Sequence, residues 1–221
     1  MLVLALDTSS PAVSVGLVDL LPGEWGRRAT WQVVDAARHG ELLATGIEAV
    51  LGELGVAPAD LEAVVVGLGP GPFTGLRVGI VTAATMADAL GIPAYGVCSL
   101  DAVEDWDGSG ARVVVTDARR KEVYWAEYAD DGERVAGPAV LRPAELVAAL
   151  VAEQWDGRVV GAGAALYGFA GATTPLHPDP EHLVLGAARR ILDRAPSETL
   201  VPLYLRRPDA TPPGAIKKVT A

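Results

Sequence analysis

Two rhythms of apolar residues alternate along this chain. Val13, Val15 and Leu17 recur at the period of two expected of a strand, whereas Leu43, Ile47, Val50 and Leu54 recur at helical spacing. The run Ala63-Val-Val-Val66 reads as a buried strand. After it, Leu76, Ile80, Ala83, Ala84, Ala87 and Leu90 mark a second helix that Gly91-Ile-Pro93 stops. The first half thus predicts strands over 2–6, 12–18 and about 30–34, a helix over about 40–54, a strand over 63–67, a helix over 75–90 and a strand over 94–97. The second half repeats this order in shorter form. It predicts strands over 112–116 and 123–128 around a turn at Asp117, a short third strand including 139–141, a helix over 143–153, and a strand over 158–161.

Two βββαβ units therefore stand in tandem in an α/β chain. Asp7 corresponds to Asp117, and Gly67-Leu-Gly69 to Gly161-Ala-Gly163. The pattern breaks at Glu104-Asp-Trp-Asp-Gly-Ser-Gly110, which divides a first lobe, 1–103, from a reduced second lobe, 104–205. The last stretch, 206–221, holds three prolines and no apolar period, and is expected to be extended or partly disordered.

Composition narrows the class without defining it. At 221 residues, 50% hydrophobic and 21% charged, the chain can bury a substantial core without staples. Cys98 is its one cysteine, which excludes an internal disulfide and suits a reducing cytoplasm. The apolar start Met1-Leu-Val-Leu-Ala-Leu6 lacks a basic flank and ends at Asp7, so it reads as a strand and not as a signal peptide. No apolar run approaches the ~20 residues of a membrane span, so no membrane association is expected. The formal net charge of −10 is spread, with 10 acidic against 4 basic residues in 1–100 and 18 against 14 in 101–221, which argues against an unaided nucleic-acid binder.

Candidate chemistry gathers at Gly67-Leu-Gly-Pro-Gly-Pro-Phe-Thr-Gly-Leu-Arg-Val-Gly79, a hinge between a strand's carboxyl end and a helix's amino end. Backbone N–H groups at such a place favour anions. Yet no Lys follows, so the phosphate-loop signature fails, and Pro72 stands where the third glycine of a dinucleotide fingerprint would fall. The residues read as a vestigial phosphate loop or as a plain turn. His39, His177 and His182 show no metal-ligand spacing, and Cys98 has no histidine near it in sequence, so it reads as a small buried thiol.

Four motifs in order carry a resemblance. Leu4-Ala-Leu-Asp-Thr-Ser-Ser10, Gly69-Pro-Gly-Pro-Phe-Thr-Gly-Leu-Arg-Val-Gly-Ile80 with Gly91-Ile-Pro93 after it, Val115-Thr-Asp-Ala-Arg-Arg-Lys-Glu-Val-Tyr-Trp125 and Val201-Pro-Leu-Tyr-Leu-Arg206 are similar to the TsaB (YeaZ) family, over nearly the whole length. That resemblance implies a duplicated actin-like ATPase/sugar-kinase fold. It also implies a non-catalytic dimerisation subunit for TsaD, which adds the threonylcarbamoyl group to N6 of adenosine 37 of tRNA, with the ATPase TsaE as further partner and a homodimer when TsaD is absent. Contact with tRNA is then expected only through the complex, in the cytoplasm. No intrinsic cofactor or metal is expected, and ATP or ADP has a place only at the partner interface.

The resemblance also assigns candidate residues. Asp7, Thr8 and Ser9, with Gly69, Gly71, Thr74 and Gly75, stand where a superfamily nucleotide's phosphates would lie; the alternative is an Asx turn between two strands. The first-lobe helices are expected to dock on the partner through His39, Leu42, Gly46, Ala49, Gly79, Ala83 and Ala87. In His39-Gly-Glu-Leu-Leu43, Gly40 replaces the family's usual serine, which predicts a weak amino cap. TsaD's metal-binding histidines correspond to Ser99 and Val103, which are not plausible ligands. Two alternatives remain: a stand-alone phosphotransferase holding Mg-ATP with Asp7 and Thr8, and a homodimeric binding protein unrelated to tRNA.

Overall fold

Apolar runs on β1 (Leu2–Asp7) and β4 (Ala63–Gly67) leave no polar face for solvent, so their sheet must be covered on both sides. The computed structural model, which describes residues 1–104, 110–170 and 172–206, shows how. Leu4, Leu6, Val64 and Val66 point to one face, under α1 (His39–Leu54) and α2 (Phe73–Leu90); Val3, Ala5, Ala63 and Val65 point to the other. β2 (Ala12–Leu21), β3 (Glu24–Val34) and β5 (Ala94–Val97) complete a sheet of order β3-β2-β1-β4-β5.

The second sheet repeats that order. β6 (Arg112–Asp117), β7 (Val123–Tyr128) and β8 (Arg134–Leu141) are followed by α3 (Pro143–Ala152), β9 (Arg158–Val160), α4 (Ala162–Leu166) and the backbone strand β10 (Ala172–Thr173). The strands lie β8-β7-β6-β9-β10. In both sheets the first three strands pair antiparallel, and the fourth and fifth add parallel. The duplicated plan is thus realised strand for strand, and the reduction of the second copy lies in its short helices and its two-residue last strand.

Several boundaries differ from expectation. β3 starts at Glu24, because its first half is polar enough to hide its period, and β8 at Arg134, where Gly137-Pro138 interrupts the apolar run. Helix α1 begins at His39 with Arg38 as its cap residue, so Gly40 lies inside the first turn and the serine it replaces would not be the cap. The largest addition is α5 (Pro180–Leu192), whose Leu183, Val184, Ala187 and Ile191 pack on the far face of the first sheet. Conversely, Leu100 and Val103 from the end of the first half pack against the second sheet. Each sheet is therefore closed by a segment from the other half of the sequence, and a cut at 103 does not separate two self-contained lobes. Residues 105–109 of the expected break at 104–110, and nearly all of the expected tail, from 207 onward, lie outside the described residues.

Candidate functional site

The glycine-rich loop and the β1–β2 turn meet at the top of the first sheet. Asp7, wholly buried, accepts hydrogen bonds at Oδ1 from Ser9 N (2.8 Å) and Ser9 Oγ (2.7 Å), and at Oδ2 from Ser99 Oγ (2.6 Å). Ser99 Oγ in turn accepts from Gly69 N at 3.0 Å. Thr8 Oγ1 donates to the Gly75 carbonyl (2.8 Å) and accepts from Gly79 N (3.1 Å), bridging one turn of α2. The glycines allow this contact: a Cβ on Gly67 would sit 1.8 Å from Asp7 Oδ2, and one on Gly75 would sit 2.6 Å from the Thr8 carbonyl.

Most of the candidate phosphate-binding residues are therefore together, but their polar groups bind one another. Asp7, Thr8, Ser9, Gly69, Gly71 and Gly75 form one buried cluster, of which Ser9, Gly71 and Gly75 also line the cleft between the lobes; Thr74 is exposed. Burial pushes the Asp7 carboxyl above the usual carboxylate range, against the lowering effect of its serine donors. Ser99, at a position aligned with a TsaD metal ligand, is committed to Asp7, and Val103 is buried in the second core. Burial also pushes the Cys98 thiol up to about 12, which leaves it a poor nucleophile. Among the described residues, no group of three or more His, Cys, Asp or Glu side chains could hold a metal ion.

The expected docking stripe needs correction. Ala83 is 0% exposed and Ala87 4%, both within the first core. Gly79 packs on Thr8, and Gly46 on Trp31, whose ring would lie 2.5 Å from an added Cβ. These small residues let the helices approach their own sheet and turn, not a partner. His39 is half-buried with Nε2 donating to the Ser10 carbonyl at 2.8 Å, and Leu42 is half-buried beside the core; of the seven, only Ala49 is exposed. The outward surface includes Ala44, Thr45 and Ala49 on α1 and Phe73, Val81, Ala84 and Thr85 on α2, beside the exposed charges of Glu41, Glu48, Glu53, Arg77 and Asp88. Val81 is 61% exposed and Phe73 36%. Arg77 stacks over the Phe73 ring at 3.7 Å, and Tyr204 lies 4.9 Å from it on the other chain segment. A shallow depression of about 420 Å³ runs between Phe73 and Val81. Helical spacing carried this signal, since Val81 falls off the Leu76–Ile80–Ala83–Ala87 stripe.

A cleft of about 780 Å³ lies between the lobes, bordered by the start of α2, the turn after β6, α4 and residues 204–206. Asp117 Oδ1 on its wall accepts from Arg119 N (2.9 Å) and Tyr167 Oη (3.0 Å). Arg119, Arg120 and Lys121 follow at φ of 60, 51 and 61°, an uncommon run for residues other than glycine. Arg206 anchors this turn by donating to the Ala118 carbonyl and pairing with Glu122 at 3.3 Å.

Two copies of one sheet order, with their turns facing a common cleft, define a duplicated actin-like α/β protein. Residues 34–158 match the family model described as TsaD: tRNA N6-adenosine threonylcarbamoyltransferase. An uncharacterized protein of Mycobacterium tuberculosis is 49% identical over 95% of this chain and 94% of its own length. The Escherichia coli tRNA threonylcarbamoyladenosine biosynthesis protein TsaB is 33% identical over 65% of this chain and 63% of its own. The solved structure of YeaZ from Pseudomonas aeruginosa superposes with a TM-score of 0.74 at 30% identity, covering 92% of this chain and 99% of that one. The chain belongs to the TsaB (YeaZ) family.

Proposed function

We propose that this chain is the non-catalytic scaffold of the complex that makes threonylcarbamoyladenosine in tRNA. In this reading it docks on a TsaD-type transferase through the outward face of α1 and α2. The observation that carries it is the pairing of family membership with exposed apolar side chains on the helix face, Phe73 and Val81 above all, beside an Asp7 carboxylate wholly buried and bonded within the chain. Large exposed aliphatic and aromatic side chains around a depression fit a protein interface. Asp7, on which the stand-alone phosphotransferase alternative depends, is bonded to Ser9 and Ser99 and has no exposed surface.

In this account the chain works in the cytoplasm. It pairs with itself when the transferase is absent and answers to a TsaE-type ATPase through the assembled complex. ATP or ADP belongs at the boundary with the partner, and tRNA is reached through the transferase. The test is depletion of this chain in its own host, followed by nucleoside analysis of bulk tRNA. Loss of threonylcarbamoyladenosine, restored by the wild-type gene and by Asp7→Asn, is the expected result. Unchanged modification after depletion would refute the role and favour the homodimeric binding protein.

A further inference from the structure

The described chain ends at the cleft between the lobes. Tyr204 and Arg206 both border it, and Arg206 is fixed there by the Ala118 carbonyl and by Glu122. The remaining residues, 207–221, span up to about 50 Å when extended, which brings the whole cavity within their reach. Their sequence is divided. Ala210-Thr-Pro-Pro-Gly-Ala-Ile216 holds no charge and is bounded by Arg207-Pro-Asp209 before it and Lys217-Lys218 after it. Two adjacent prolines favour an extended backbone before any contact is made, so docking such a stretch costs little ordering entropy.

The cleft walls match that stretch in kind. Pro11, Val34 and Val78 line it from the first half of the chain, and Tyr124 and Leu166 from the second. An aromatic ring among aliphatic side chains is a surface on which extended proline segments pack. Thr116 Oγ1 and His177 Nδ1, on two further lining residues, are buried without a hydrogen-bond partner among the described residues, and a peptide backbone brings both a donor and an acceptor. Charge orients the segment. The turn after β6 carries Arg119, Arg120 and Lys121, with Arg206 bound to it, against Asp117 and Glu122, so it is net positive. Asp209, three residues beyond Arg206, is tethered within about 11 Å of it and brings a negative charge to that turn. Lys217 and Lys218 are repelled by the same turn and costly to bury, so the docked stretch stops at Ile216.

We propose that the cleft is occupied by the chain's own carboxyl-terminal segment. Pro212 and Pro213 lie on Tyr124, Ile216 lies on Leu166, Asp209 rests beside the Arg119–Lys121 turn, and Lys217 and Lys218 stay in solvent. The segment touches both walls and braces the two lobes against each other. The second-half wall that it uses is apart from Val81 on the outward face of α2, and its test needs no transferase, so its failure and the failure of the docking proposal are distinguishable.

The test is a nitroxide carried at Val219→Cys in the isotope-labelled full chain, read as broadening of amide resonances. Cys98, buried and with its thiol pushed up to about 12, leaves the introduced cysteine as the site of labelling. Broadening should centre on Tyr124, Leu166 and His177 and spare Val147 and Val151, which are exposed on α3. It should persist on dilution and be absent when nitroxide and isotope sit on different molecules. Ile216→Asp and, separately, Leu166→Glu at a position 63% exposed should each abolish the pattern, and Asp209→Lys should weaken it. Neither of the first two changes touches the buried core, so both variants should keep the wild-type circular dichroism. Broadening spread evenly over the surface, centred on α3, found only between molecules, or unchanged in both variants overturns the proposal.

Discussion

Asp7 is a carboxylate enclosed at the centre of the first lobe, and its protonation is tied to folding. Burial raises its pKa in the native chain above the ordinary value of 3.8, so the native state holds this proton more firmly than the unfolded chain does. Its contribution to stability is then fully present below the unfolded pKa and is lost as pH rises through the folded one. Denaturant titrations at successive pH values should show the stability difference between wild type and Asp7→Asn moving in the variant's favour from about pH 4 upward; a constant difference would contradict the enclosure. Gly67→Ala should cost about 3 kcal/mol, because its methyl must displace the Asp7 carboxylate or the Ser99 hydroxyl. Cys98, its thiol pushed up to about 12, should resist a thiol-specific disulfide reagent at pH 8 in the native protein and react at once in denaturant. The Asp-Thr-Ser-Ser turn and the glycine run were both legible as turns in the sequence. That they are each other's partners was not, because the Asp7–Ser99 bond spans 92 residues and no local pattern records it.

Helix α5 shows what a sequence can and cannot say about an element. Leu183, Val184, Ala187 and Ile191 fall at helical spacing, and Asp179 caps the start by accepting from Glu181 N at 2.8 Å. The existence of the helix was therefore readable, although Pro178, Pro180 and the neighbouring histidines invite a loop reading. Its destination was not readable: a helix late in the chain closes the first sheet, held by Arg27 to Asp179 at 2.6 Å and to Glu181 at 3.1 Å. A fragment of residues 1–104 leaves Val3, Ala5, Val18 and Leu20 without their cover, and should be unfolded or aggregated by circular dichroism and sedimentation. Leu183→Ala in the full chain should lose about 2–4 kcal/mol by denaturant titration. The succession of strands along the chain, by contrast, was legible as far as β9, since each half repeats strand, Asp-containing turn and strand before its glycine turn; β10 and the order within each sheet were not.

At the scale of the molecule, the account rests on which face of α1 and α2 meets a partner. Helical spacing separates the inward stripe from the outward one, but Gly79, Ala83 and Ala87, which the resemblance assigned to docking, serve packing within the chain. Glu at Ala83 would bury an unpaired charge in the core, costing several kcal/mol, and should unfold the chain. Glu at Val81, 61% exposed, should leave the fold intact while placing that charge in the interface. The most direct measurement is calorimetric titration of wild type and Val81→Glu with the TsaD-type transferase of the same organism. The predicted result is an unchanged melting temperature for the variant with affinity lowered about a thousandfold, the equivalent of about 4 kcal/mol. A folded Val81→Glu chain that binds the transferase as tightly as wild type, with Ala49→Glu equally silent, would place the interface elsewhere and contradict the account.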